Sequence, residues 1–336
     1  MDDLSRRLRK ANPHEGQPLP EHAVKTLDDL LTGRRTPQWD RSARSVSPRR
    51  VWRPLVLAGS GFAAAVTVVA VIALVILRPV PAVAITPDRL PLEPTSWTVE
   101  TLLEESMTGV PAPEVAESRR GAEWEGWFVQ LDLDSPTATF IQPQRTQIEW
   151  NDDLSGTSRV IAGVPMSADG SPIEPVPASA EATGTILYED SWAPGELVTP
   201  FPTAPPDDVD GMRAYLQAFL REQGGTDADA PSAGDYVLAV TSLMQVWTLS
   251  EAAQRAAITV VLDAAGVTVA GETTDRAGRF GVVLNTEPTD LQPDYRTRLI
   301  IDPASWRILA AETNTIDGLP DFGIPAGAVT DYTIWR

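Results

Sequence analysis

The sequence predicts an α+β protein: an extracytoplasmic curved antiparallel sheet packed on about three helices, joined to a single transmembrane helix. Three observations predict it. One uninterrupted apolar run divides a basic N-terminal stretch from an acidic remainder. Short strand patterns occupy both ends of that remainder, and amphipathic helical patterns lie between them.

Residues 1–54 read as a basic cytoplasmic tail, with 12 Lys+Arg against 7 Asp+Glu. "DDLSRRLRKANP" places Leu4, Leu8 and Ala11 at helical spacing, and Pro13 stops the pattern. "LPEHAVKTLDDLLTG" places Val24, Leu27, Leu30 and Leu31 on one face of a second short helix. A helix this short cannot build its own core, so these four side chains are the candidate contact face for a cytoplasmic partner. Residues 34–54 are rich in Arg, Ser and Pro, and read as a tether.

"LVLAGSGFAAAVTVVAVIALVIL", Leu55–Leu77, has 23 residues and no charge. As a helix with about 1.5 Å rise per residue it spans a hydrocarbon core. Arg41, Arg44, Arg49, Arg50 and Arg53 crowd its N-terminal side, which puts the N-terminus inside and the C-terminal domain outside the cytoplasmic membrane. Ala82-Val83-Ala84 looks like a signal-peptidase site, but the leader and the apolar core are both too long for an ordinary cleaved signal. Residues 78–94 hold five prolines and read as a stiff linker.

Residues 95–336 read as the external domain. "SWTVETLLEES", "EWEGWFVQLDLD" and "TATFIQPQRTQIEW" alternate in part as strands, the second with Trp127, Val129, Leu131 and Leu133 on one side. "TSRVIAG" and "GTILYED" are shorter strand candidates. In "DDVDGMRAYLQAFLREQGG", Met212, Tyr215, Leu216, Phe219 and Leu220 follow the helical period, with Asp207 or Asp208 as cap. "DYVLAVTSLMQVWT" and "SEAAQRAAITVVLDAAG" are two more helices, the latter between Ser250 and Gly266. Strands close the chain over 267–273, 280–285, 295–301, 306–313 and 328–335.

Chemistry is narrowly bounded. The chain has no Cys, and its two His, His14 and His22, precede the apolar run. Nucleophilic arrangements that need His or Cys are therefore absent beyond it, as are the common zinc sites, and the domain reads as non-enzymatic with no cofactor. Paired carboxylates remain, but acids are too abundant for any pair to stand out. Asp132 with Asp134, and Asp152 with Asp153 and Gly156, are candidate calcium turns that lack the alternation and closing Glu of an EF-hand; they read better as solvated turn acids. After the apolar run there are 15 basic and 39 acidic residues, a balance that disfavours nucleic acid. "TTDRAGRFG" reads as a hairpin whose tip holds Asp275, Arg276 and Arg279.

"GVTVAGETTDRAGRFGVVL", "RLIIDPASWRILAAET" and "IPAGAVTDYTIW" resemble the C-terminal region of a large family of actinobacterial single-pass membrane proteins with no assigned activity. "RTQIEWNDDLSGTSRVIAGVP" and the tail's "LRKANP" fit the same family. Such proteins are similar in plan to membrane-anchored anti-sigma factors. That likeness implies a sensing or binding domain outside, coupled to a cytoplasmic regulatory protein such as a sigma factor through residues 1–33. The zinc-type anti-sigma signature is missing here, because the tail has no Cys. The strand, helix, strand order also resembles the half-barrel of lipoprotein carriers, which implies the alternative of a tethered carrier of lipid, lipoprotein or another hydrophobic ligand.

Overall fold

A computed structural model describes residues 83–108, 117–132, 140–223, 230–289 and 291–336. The tail, with Val24, Leu27, Leu30 and Leu31, and the apolar run Leu55–Leu77 lie outside the described residues.

Nine antiparallel strands form one sheet. In chain order they are β3 (Ala122–Phe128), β5 (Gln144–Trp150), β6 (Gly156–Ala162), β7 (Ile186–Trp192), β9 (Val267–Thr274), β10 (Phe280–Thr286), β11 (Tyr295–Asp302), β12 (Arg307–Thr315) and β13 (Val329–Trp335). Their spatial order is β7-β6-β5-β3-β13-β12-β11-β10-β9. Two meanders thus meet where the C-terminal strand β13 pairs with β3, for example Tyr332 opposite Trp127. Register shifts interrupt the ladders at Val160/Ile161, Val283/Leu284, Ile300/Ile301 and Thr313/Asn314. Each bulge raises the local twist, which bends the sheet. Two small ladders complete the strands: β1 (Val83–Ile85) with β4 (Gln130–Asp132), and β2 (Arg119–Arg120) with β8 (Trp247–Thr248).

The expected fold class is corrected at its helices. There are four among the described residues, α1 (Val99–Thr108), α2 (Val209–Glu222), α3 (Ala233–Leu243) and α4 (Glu251–Leu262). None is long and apolar enough to cross a membrane, so no single transmembrane helix is found among the described residues. The longest, α2, has 14 residues, about 21 Å at 1.5 Å each, short of a hydrocarbon core of roughly 30 Å. The single-pass membrane description therefore finds no support in the described fold.

The fourth helix is α1, in the run expected to be a strand. Thr98 starts it: its hydroxyl accepts from Thr101 N (3.2 Å) and its carbonyl from Leu102 N (3.0 Å). Leu102 and Ser106, one turn apart, are buried against the main core. In α2 the cap is Asp208, which accepts from Gly211 N at 2.8 Å. Asp207 instead accepts from the hydroxyl of Ser250, which itself caps α4 through Ala253 N. The helix α4 ends at Leu262 with Asp263 as its cap, short of the Gly266 stop expected for it; Gly266, at φ 85°, instead turns the chain into β9, a conformation glycine adopts without penalty.

The sheet is apolar on both faces. Val282, Leu284, Leu299, Ile301, Ile308 and Trp335 pack with the helices in the main core, while Val283, Ile300, Leu309, Ala310, Tyr332 and Ile334 form a second cluster on the other face. The helices meet the sheet over β9 to β12. The second cluster is covered in part by the proline-rich stretch after residue 83, which lies on the domain as a strap. Ile85 and Leu90 plug into the cluster. Glu93 and Glu272 exchange backbone hydrogen bonds of 2.8 and 2.9 Å, which closes the β9 edge. The run Trp127 to Leu133 is accordingly no single strand: β3 ends at Phe128, Val129 packs in a third cluster, and β4 pairs with the strap.

Candidate functional site

The charged hairpin tip is a brace. Gly278 at φ 80° turns the chain between β9 and β10. Asp275 is buried (4 % exposed) and accepts from the backbone N–H groups of Ala277 (2.9 Å) and Arg279 (2.8 Å). The Arg279 guanidinium pairs with the same carboxylate and donates to the carbonyls of Trp335 (2.7 Å) and Leu309 (2.8 Å). Arg276 lies over the rings of Trp127 (5.0 Å) and Tyr332 (4.9 Å) and donates to Asp88 O in the strap. Burial holds its guanidinium below the ordinary arginine value, opposed by the Tyr332 and Glu312 charges. These contacts hold the hairpin, the C-terminal strand and the strap together, while Arg276 Nε is buried without a hydrogen-bond partner.

The acidic turns are also occupied locally. Asp152 pairs with Arg120. Asp153 accepts from Ser155 N at 3.0 Å and is held below the ordinary carboxylate value by Ser155, first its side chain and then its backbone. Among the described residues, no group of three or more His, Cys, Asp or Glu is arranged to hold a metal. The side chains of Asp132 and Asp134 lie outside them.

Two clefts among the described residues stand out. The larger, about 630 Å³, lies at the ends of β3, β5 and β6 beside Arg119 and Arg120. Its charges are largely spent within the protein. Arg120 stacks between Trp150 and Trp247 at 5.1 Å from each ring, and Glu123 accepts from Gln147 at 3.0 Å beside Arg145 at 3.7 Å.

The smaller cleft, about 440 Å³, lies between the start of α1, the end of α4 and strand β9. Six of its nine lining residues are apolar, although the surface it exposes is somewhat more polar than apolar: Trp97, Val99, Ala264, Val267 and Val269 are half-buried side chains at the edge of the main core, and Leu262 is buried behind them. Thr98, Thr268 and Glu100 supply the polar part of its lining. Glu100 is held below its ordinary value, first by its backbone N–H and then by the Thr98 hydroxyl, so it is ionised near neutral pH. A cleft with apolar side chains beside a few polar groups can take a small amphipathic or hydrophobic ligand. Six other tryptophans (124, 127, 150, 247, 306 and 335) are buried in the two larger cores or beside them.

A third place was invisible in the sequence. Asp331 on β13 stands on the helix face of the sheet, the face of Thr333 and Trp335. Its cross-strand neighbours are Phe128 on β3 and Thr313 on β12. Its one hydrogen bond among the described residues comes from the Thr333 hydroxyl at 3.2 Å. Protein surrounds the carboxyl, while the residue as a whole is half-buried. Burial pushes its pKa up to about 7, with Thr333 opposing.

Compared with family models, curated proteins and solved structures, the chain matches none.

Proposed function

We propose that residues 83–336 form a binding or sensing domain that takes a small apolar group into the cleft between α1, α4 and β9, and that it works by binding without catalysis. The observation that carries this reading is the set of half-buried apolar side chains at one edge of the core: Trp97, Val99, Ala264, Val267 and Val269. An apolar guest there extends the core, gaining roughly 25 cal/mol for each Å² of apolar surface removed from water. The lack of His and Cys beyond residue 22 agrees with a role without catalysis.

Native mass spectrometry of the purified full chain, followed by titration with cis-parinaric acid, tests the reading. A co-purifying hydrophobic ligand, or saturable probe binding lost in Val269→Glu, is the expected result. A chain that arrives empty and binds the probe no better than that variant rules the reading out.

A second reading rests on the stripe Val24, Leu27, Leu30 and Leu31. It makes the domain the sensing half of a regulator whose residues 1–33 bind a cytoplasmic protein such as a sigma factor. Co-purification by the full chain, compared with Leu27→Asp/Leu30→Asp, tests it. An unchanged set of partners removes it.

A further inference from the structure

The Asp331 carboxyl is surrounded by protein, and among the described residues no cation pairs with it. Asp275 has Arg279, Glu312 has Arg298 at 3.2 Å, and Asp263 has Arg213 at 2.8 Å. Among the described residues Asp331 has one neutral donor, Thr333. A carboxylate removed from water without a counter-charge is costly, and a cation brought to it recovers most of that cost.

The residues around it lie at the margin of the core and are not fully buried. Phe128, Asp331, Thr313 and Thr297 follow one another across four adjacent strands, β3, β13, β12 and β11, in one cross-strand row. At about 4.8 Å between strands the row spans roughly 14 Å. All four residues keep some solvent contact. The Thr297 and Thr313 hydroxyls are 3.2 Å apart and bond to each other. Phe128, 37 % exposed, folds its ring back over Gly126, where a β-carbon would lie 2.5 Å from the ring. Gly126 therefore makes room for an aromatic face beside the carboxyl.

The charged side chains of these strands do not reach that face. Glu125 on β3, Glu312 on β12, and Arg296 and Arg298 on β11 alternate onto the opposite one. The titratable neighbour further along β11 is Tyr295, whose hydroxyl is raised above its ordinary value, first by burial and then by Asp294. The acidic excess of the chain raises the local concentration of cations over neutral solutes.

We infer that this row is a binding site for a protonated amine, with the ammonium on Asp331, the Thr313 hydroxyl beside it, and the Phe128 ring along its hydrocarbon part. A carboxylate supplies the charge and an aromatic face adds a cation–π contribution. The site is separate from the apolar cleft at α1, α4 and β9, and stands or falls independently of it.

Saturation-transfer NMR on the full chain tests this, with n-butylammonium as probe and n-butanol as its uncharged counterpart. At pH 8 butylammonium is expected to bind saturably and butanol at least tenfold more weakly. At pH 5.5, where Asp331 holds its proton, the amine's affinity is expected to fall at least fivefold. Asp331→Asn should abolish both the binding and its pH dependence, and Phe128→Ala should weaken binding several-fold. Should Asp331→Asn fail to fold, Phe128→Ala and the pH comparison still decide. Equal binding of amine and alcohol overturns the inference. So does amine binding that survives Asp331→Asn and disappears in 0.5 M salt, which marks condensation on the acidic surface.

Discussion

Asp275 and Arg279 close the β9–β10 hairpin as an ion pair of 2.6 Å across four residues, with the carboxylate side chain wholly out of solvent and the guanidinium 30 % exposed. The pair is part of a larger bracket, because Arg279 also holds backbone carbonyls of two other strands, Trp335 on β13 and Leu309 on β12. Removing the carboxylate leaves two backbone donors and a guanidinium without their acceptor. Asp275→Ala is therefore expected to cost about 3 kcal/mol, at the lower end for a buried pair because the arginine keeps water contact. Arg279→Lys cannot reproduce the three-way contact and should cost more than 1 kcal/mol. Urea denaturation of the full chain measures both, and a loss below 0.5 kcal/mol for Asp275→Ala (roughly the range of an exposed pair) sinks the bracket.

Arg276 binds elements that are far apart in the chain: Trp127 on β3, Tyr332 on β13 and Asp88 in the strap. Its stacking on Trp127 is partly desolvated, the condition in which a cation–π contact reaches roughly 1–2 kcal/mol. A double-mutant cycle of Arg276→Ala and Trp127→Leu should show a coupling of about that size. Additive losses would mean that the two residues merely pack near each other.

Gly271 is where the strap meets the sheet edge. Its φ is 146°, and a β-carbon there would lie 2.5 Å from Glu93 O. Gly271→Ala is expected to cost roughly 2–3 kcal/mol from backbone strain and displacement of the strap. Gly278, at φ 80° with open space around it, is the control: alanine there pays the backbone conformation alone, roughly 1–2 kcal/mol. Hydrogen exchange at the Glu93 and Glu272 amides separates the two variants. Faster exchange is expected in Gly271→Ala and unchanged exchange in Gly278→Ala; identical rates would show that the strap does not depend on this contact.

What could be read in advance was what depends on near neighbours in the chain. The α2 period, the Ser250 cap of α4 and the hairpin around Gly278 are each fixed within about a dozen residues, and the structure has them, whereas α4 ends at Leu262, ahead of the Gly266 stop expected for it. The α1 run failed that test because Thr98 to Leu103 fits both a two-residue and a 3.6-residue period. What decides it is the burial of Leu102 and Ser106 against distant elements. The apolar cleft draws its walls from residues 97–100 and 262–269, so no local pattern announces it. Asp331 is the clearest case. In "TDYTIW" it is one acid in a strand, and its isolation arises only when β13 inserts between β3 and β12 and sets Phe128 and Thr313 opposite it.

That isolation has a consequence for stability that needs no ligand. The carboxyl's pKa in the folded chain is pushed up to about 7 from 3.8 by burial. Between those two values the folded state keeps a proton that the unfolded state has released. Stability therefore falls as pH rises through that window and levels off above 7, where both states are ionised. Below the lower value both are protonated and Asp331 makes no difference. Asp331→Asn removes this contribution, so the variant should match the parent chain near pH 4. It should exceed the parent at pH 8 by roughly 1–3 kcal/mol, a range reduced because the residue is only half-buried. Urea melts of both chains at pH 4.5, 6 and 8 measure the difference at each pH. A gap that widens with pH is expected; a gap that stays constant across the three would show that Asp331 is ionised throughout and well solvated in the folded protein.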